Sequence, residues 1–113
     1  MKRKILIVED NVGLSQIQKD WFEQAGYDAI TAMNEPVARA LIRKNKFDLI
    51  LSDVRLPEGD GISLLEWLRK EKRDIPFIIT TEYVSVPDVV RTIKMGARDY
   101  LPKPVRREHL LEL

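Results

Sequence analysis

The chain has no cysteine. Disulfides and thiolate metal sites are therefore excluded, which fits a reducing compartment such as the cytosol. Charge of one sign is also missing. The 19 basic and 18 acidic residues leave a formal net charge of +1. That balance carries no nucleic-acid footprint, and Arg106-Arg107 is too short a pair to argue for DNA contact. No apolar run approaches the length that spans a bilayer. Met1-Lys2-Arg3-Lys4 followed by Ile5-Leu6-Ile7-Val8 has the charge pattern of a signal peptide, but the apolar stretch stops too soon, at Glu9-Asp10. Gly59 and Gly61 lack the Walker and dinucleotide spacings, so no phosphate-cradling loop is present. The single histidine, His109, reads as a surface residue and not as a phosphocarrier. Repeats, low-complexity segments and linkers are absent. What remains is the composition of one soluble, cytoplasmic domain of 113 residues with one core.

Five short apolar runs are present, at about 4–8, 28–32, 48–52, 77–81 and 98–101. Several are near-continuous Ile, Leu and Val, the pattern of strands buried on both faces. Helical periodicity fills the gaps between them. The first helix is expected over 12–25, capped by Asn11 and stopped by Gly26, with Leu14, Ile17 and Trp21 inward. The second is expected over 35–45, with Asn34 as cap, Pro36 in the first turn and Val37 and Leu41 inward. The third starts after Asp60-Gly61 and buries Ile62, Leu65 and Leu68. Ser85-Val86-Pro87-Asp88 is a capping box for the fourth, with Val89, Val90 and Ile93 inward and Gly96 as stop. The fifth follows Pro104 and looks cut short at the end of the chain. Alternating strands and helices predict an α/β fold, a doubly wound five-stranded parallel sheet in the flavodoxin-like order 2-1-3-4-5. In such sheets ligands bind beyond the strand carboxyl ends, beside the switch between strands one and three.

Those strand ends carry chemistry. Glu9-Asp10 closes the first run, Asp53 the third and Thr81 the fourth, and Lys103 follows the fifth. Three clustered carboxylates repel unless a cation or raised pKa values relieve them. Mg²⁺ suits an all-oxygen site of one or two carboxylates, waters and a phosphate. Asp10 and Asp53 are candidate direct ligands, Glu9 a ligand through water, and the backbone carbonyl of Arg55 a fourth contributor. Asp53 can also act as a nucleophile toward phosphorus. Phosphoryl transfer depends mainly on positioning and neutralisation, which the Lys103 ammonium and the Thr81 hydroxyl can supply. Each residue alone has a plainer explanation: Glu9-Asp10 as helix-dipole partners, Thr81 as a strand end, Lys103 as a surface lysine. Their joint placement points to the site.

Taken together, Glu9-Asp10, Asp53, Leu56-Pro57-x-x-Asp60-Gly61, Thr81 and Asp99-Tyr100-Leu101-Pro102-Lys103-Pro104 resemble the receiver domain of two-component response regulators. The resemblance covers essentially the whole chain. Thr81 lies 28 residues after Asp53, and Lys103 lies 22 after Thr81, as suits the family. It implies that Asp53 accepts a phosphoryl group from a sensor histidine kinase in a Mg²⁺-dependent reaction. Thr81 and Tyr100 would be the switch pair, altering the face made by helix four, strand five and helix five. That face implies control of an output domain in a longer protein and a phosphorylation-dependent homodimer. The domain itself would bind neither nucleic acid nor membrane, and would direct only its own phosphorylation and dephosphorylation. A cis Lys103-Pro104 bond is also implied. The Leu56-Pro57-x-x-Asp60-Gly61 and Asp99-Tyr100-Leu101-Pro102-Lys103-Pro104 segments resemble those of regulators that carry an AAA+ ATPase and a DNA-binding end.

Two features depart from the common pattern. Glu82 follows Thr81, where such domains usually have a small residue; it would either repel phosphate or project into solvent. Arg55 and Tyr83 lie two residues after Asp53 and Thr81, where bulk is expected to slow loss of the phosphoryl group. Other readings stay open. An unphosphorylated interaction module would be favoured by Glu82. A small phosphatase would need an acid two residues after the nucleophile, where Arg55 stands. A flavin-binding domain would need a Ser/Thr/Gly-rich loop where Glu9-Asp10 places negative charge.

Overall fold

Ile5-Leu6-Ile7-Val8 and Leu49-Ile50-Leu51 are apolar at every position, so neither face of their strands can be left in water. The computed structural model, which describes residues 2–112, meets that demand with helices on both sides of one sheet. Its strands are β1 (Lys4–Val8), β2 (Asp28–Ala32), β3 (Leu49–Asp53), β4 (Phe77–Thr81) and β5 (Asp99–Pro102). The helices are α1 (Val12–Gln24), α2 (Glu35–Lys44), α3 (Gly61–Lys70), α4 (Val86–Lys94) and α5 (Arg107–Glu112). The strand order is β2-β1-β3-β4-β5, with every neighbouring pair parallel, as the alternation predicts.

The twofold alternation of side chains along the strands divides the interior into two cores. Leu6, Val8, Ile50, Phe77 and Ile79 pack with Ala38 and Ile42 of α2 and Leu64, Leu65 and Leu68 of α3. Ile5, Ile7, Leu49, Leu51 and Ile78 pack on the other face with Phe22 of α1 and Leu110 of α5. Burying each such side chain contributes about 1.5–3 kcal/mol, so the two layers fix the register that aligns the strand ends.

The helix starts follow the local signals. Asn11, Asn34, Asp60 and Ser85 each accept a hydrogen bond from the backbone N–H three residues on. Helix phase is where the structure differs. The buried stripe of α1 is Ser15, Gln18 and Phe22, while Ile17 is exposed. In α2 Ala38 and Ile42 are buried and Val37 is exposed. In α4 only Thr92 is buried, and Val90 and Ile93 face solvent. Each buried stripe thus includes small or polar residues: Ser15 and Gln18 in α1, Ala38 in α2 and Thr92 in α4. Thr92 satisfies its hydroxyl on the Asp88 and Val89 carbonyls one turn back. The apolar residues displaced from the interior make surface features instead. Leu14, Ile17 and Trp21 line a groove with Pro104 and Val105, and Val86, Val90 and Ile93 lie exposed on α4.

Candidate functional site

The parallel sheet brings Glu9, Asp10 and Asp53 to one edge. Glu9 and Asp10 leave β1 as it turns into α1, and Asp53 is the last residue of β3 beside it. One carboxylate oxygen from each lies within 4.8 Å of the others. Glu9 and Asp53 are buried, whereas Asp10 is exposed at the mouth. An Asn11 N–H holds Glu9 Oε2 at 3.1 Å, and the Arg55 N–H reaches Asp53 Oδ1 at 3.3 Å.

Lys103 arrives from the far side of the sheet. Its N–H donates to the Thr81 carbonyl at 2.7 Å, which continues the ladder past β5, and the Lys103-Pro104 bond is cis. The ammonium then donates to Glu9 Oε1 at 2.6 Å and to Asp53 Oδ2 at 2.9 Å. Both bonds are charge-assisted and largely shielded from solvent, with the lysine side chain 11% exposed. Burial alone would pull the Lys103 pKa down; the bonds to Glu9 and Asp53 outweigh that and hold it above the ordinary lysine value. Glu9 behaves oppositely. Its burial, with the neighbouring Asp53 charge, holds the carboxyl pKa above the usual carboxylate value despite the bonds from Lys103 and the Asn11 N–H. One ammonium therefore shields two carboxylates without fully compensating the more buried one. Such a site gains from further positive charge.

An open cleft of about 530 Å³ lies over Asp53, lined by Asp10, Arg55, Leu56, Pro57, Thr81, Glu82 and Tyr83. Thr81 is buried at its base, and its hydroxyl is engaged in the following loop. It donates to the Tyr83 carbonyl and accepts from the Tyr83 N–H, both at 3.1 Å. The Arg55 guanidinium stacks on the Tyr83 ring, 5.0 Å from its centroid, so two side chains flagged as bulky form one roof. Glu82 projects outward at the rim shared by this cleft and the groove beside α1, with no salt bridge among the described residues.

Tyr100 is half-buried, and its hydroxyl is fully buried with no hydrogen-bond partner among the described residues. Burial pushes the phenol pKa up; the Ser85 backbone and Thr81 hydroxyl pull it back slightly, neither at bonding geometry. An orphaned buried hydroxyl is uncommon in a folded protein. It lies beside the Thr81 loop.

The loop from Val54 to Gly61 frames the cleft. Gly61 N–H donates to the Val54 carbonyl at 2.8 Å, and Arg55 and Asp60 form an antiparallel bridge inside it. The sequence pattern did not single out Glu35, a buried carboxylate of α2 that reaches into this loop. The guanidiniums of Arg39, Arg43 and Arg73 lie 5.0, 5.2 and 6.0 Å from the Trp67 ring.

The family model for the response regulator receiver domain matches residues 5–113. The response regulator protein PilR of Pseudomonas aeruginosa is 33% identical over 112 residues, which is 99% of this chain but 25% of PilR. The chain thus spans about a quarter of that relative's length. A CheY-like response regulator receiver domain protein from Methanospirillum hungatei superposes with a TM-score of 0.94 at 33% identity, covering 99% of this chain and 90% of that one. A response regulator of Burkholderia pseudomallei, crystallised with a phosphorylated aspartic acid, a calcium ion and citrate, gives a TM-score of 0.89 at 30% identity, covering 97% of this chain and 65% of that one.

Proposed function

The chain belongs to the receiver domains of two-component response regulators, and from that premise we propose that Asp53 is its phosphoacceptor and that the site works with a bound Mg²⁺. The observation that carries this reading is the convergence of Glu9, Asp10 and Asp53 on one point, with Lys103 bridging two of them. The donor set is all oxygen and anionic, as a hard cation requires. Glu9, Asp10, Asp53 and the Arg55 carbonyl are the groups that would hold it. When bound, the ion supplies positive charge to the phosphoryl oxygens.

The chemistry needs little more from the chain. A carboxylate oxygen of Asp53 attacks phosphorus, a new P–O bond forms, and the donor's P–N bond breaks with its electron pair leaving on the phosphohistidine imidazole. Lys103, bonded to Asp53 Oδ2, holds its positive charge beside the acceptor and then donates to the phosphoryl group. Thr81 turns its hydroxyl from the Tyr83 backbone to a phosphoryl oxygen. That movement frees space beside the Tyr100 hydroxyl, whose own polar contact is missing here. A local charge would thus bias a loop with two packings. The exposed Val86, Val90 and Ile93 of α4 supply the surface through which an output domain or a second copy reads the change. Peptide mass mapping after incubation with acetyl phosphate and Mg²⁺ tests the reading: the adduct is expected on the peptide holding Asp53, and an adduct elsewhere sinks it. The phosphorylated aspartic acid and calcium ion of the Burkholderia protein support the same chemistry.

The Arg55–Tyr83 roof makes a second prediction. By limiting the approach of water to the aspartyl phosphate, it slows self-hydrolysis. The double variant Arg55→Ala, Tyr83→Ala is expected to lose its phosphoryl group about tenfold faster, equivalent to about 1.4 kcal/mol of barrier. The decay of the adduct, followed by intact mass, measures this. A wild-type lifetime of seconds, or an unchanged lifetime in the variant, contradicts it.

A further inference from the structure

Glu35 is a buried carboxylate far from the acceptor aspartate in sequence, and it is used by none of the chemistry above. It is 4% exposed. Burying a charge is unfavourable unless donors surround it, and here they do. Oε1 accepts the Asp60 N–H at 3.0 Å. Oε2 accepts the Ser63 hydroxyl at 3.1 Å and Arg39 Nε at 2.8 Å, with Arg39 Nη2 completing a two-pronged ion pair. Arg39 is held in turn over the Trp67 ring. The backbone joins in, since the Glu35 N–H donates to the Glu58 carbonyl at 3.1 Å.

These contacts share one target, the loop after β3. Gly59 has φ +77°, and a Cβ there would lie 2.2 Å from Glu35 Oε1. The loop passes directly over the carboxylate, and only glycine permits that approach. Asp60, whose N–H is held by Glu35, is bridged through its backbone to Arg55. Arg55 lines the cleft over Asp53, and its N–H reaches Asp53 Oδ1 at 3.3 Å. A short path therefore runs from α2 through Glu35 and Asp60 to Arg55.

We infer that Glu35 is a positioning residue for the cation site, fixing the 55–60 loop so that the Arg55 carbonyl is presented to a divalent ion. This rests on reading Glu9, Asp10 and Asp53 as that site. A carboxylate that only anchored α2 would affect stability alone. A positioning role also sets cation affinity. Groups that orient a metal's ligands typically contribute 10–100-fold in affinity. Because Glu35 acts through backbone, the lower end is expected.

The test measures Mg²⁺ affinity by calorimetry, and amide exchange across residues 55–60, on the wild-type chain, Glu35→Ala and Glu35→Gln. Glu35→Ala is expected to bind Mg²⁺ about tenfold more weakly and to exchange the Asp60 amide faster, while the β4 amides keep wild-type protection. Glu35→Gln retains an acceptor for Asp60, so its affinity should return to within about threefold of wild type. Equal Mg²⁺ affinity in folded Glu35→Ala and wild type would overturn the inference. If Glu35→Ala fails to fold, Glu35→Asp, whose shorter side chain draws the acceptor back from the Asp60 N–H, takes its place, and wild-type Mg²⁺ affinity in folded Glu35→Asp overturns the inference equally. Failure of the wild-type chain itself to bind Mg²⁺ removes the cation site, and the positioning role with it.

Discussion

Lys103→Ala is expected to lower the melting temperature of the metal-free protein by about 10–15 °C at neutral pH. Lys103 is the one cation bonded to both Glu9 and Asp53 among the described residues, and the partners are largely buried. Removing one member of a buried ion pair strands the other's charge, at about 3 kcal/mol or more. The folded-state pKa of Lys103 lies above its ordinary value. Its stabilisation is therefore fully present below the ordinary lysine range, and is lost only as pH climbs through the raised value. Neutral pH is thus the right place to look. The deficit should shrink in two ways. Lowering the pH protonates Glu9, whose carboxyl is already held above the usual range by burial, and cancels the stranded charge. Adding Mg²⁺ replaces the missing positive charge, so the variant should gain more from Mg²⁺ than the wild type does. Thermal melts across pH, with and without Mg²⁺, measure all three. A variant that melts within about 2 °C of wild type in metal-free buffer would show that the bridge contributes little.

Gly61→Ala is the other substitution with a large expected effect. A Cβ at position 61 would lie 2.3 Å from the Asp53 carbonyl oxygen, 3.0 Å from Ser52 Oγ and 3.1 Å from the Asp53 carbonyl carbon. Two of those atoms are backbone at the end of a buried strand, so they cannot give way as a flexible side chain would. Gly61 also closes the loop through its bond to Val54. The cost is expected at about 3 kcal/mol, the upper end for overpacking, or about 10 °C in melting temperature. The displaced atoms carry Asp53, so phosphorylation should slow in whatever fraction folds. Gly13→Ala is the matched control. Its Cβ meets only Asn11 Oδ1 at 3.5 Å, and replacing a helical glycine by alanine is neutral or stabilising by up to about 1 kcal/mol. Similar losses in both variants would contradict the steric account.

The two glycines show what a sequence discloses. The strand ends were legible because runs such as Ile5-Leu6-Ile7-Val8 admit only a doubly covered strand, and polar residues that end such runs stand out. Placing Glu9, Asp10, Asp53, Thr81 and Lys103 at one sheet edge then follows from parallel topology. Helix caps were legible because Asn11, Asn34 and Ser85 bond within three residues of themselves. Helix phase was less legible. Ser15, Gln18 and Thr92 are polar residues buried against the interior, which no hydrophobic pattern signals. Glu35 was hidden for a related reason. An acidic residue in the first turn of a helix reads as a partner for the dipole. Its burial depends on Gly59, Asp60 and Ser63, well over twenty residues away, and on an arginine that stacks on Trp67. The nearest sequence signal was Gly59 itself, whose φ of +77° lets the loop pass over the carboxylate.

The orientation of Thr81 was likewise beyond the sequence. The residue type predicts a hydroxyl at the end of β4 but not its partner. In the structure that partner is the Tyr83 backbone, which leaves the hydroxyl occupied and the Tyr100 phenol without a bond. Movement of Thr81 toward a phosphoryl group, as proposed above, would cost these two local hydrogen bonds.

Intact mass after incubation with acetyl phosphate, with Mg²⁺ and with a chelator in its place, beside Asp53→Asn, tests the central claim most directly. The account predicts a single phosphoryl adduct on the wild-type chain that requires Mg²⁺ and is absent from Asp53→Asn. A folded wild-type chain that takes up no phosphoryl group, or one that takes it up equally in the Asp53→Asn variant, would contradict it.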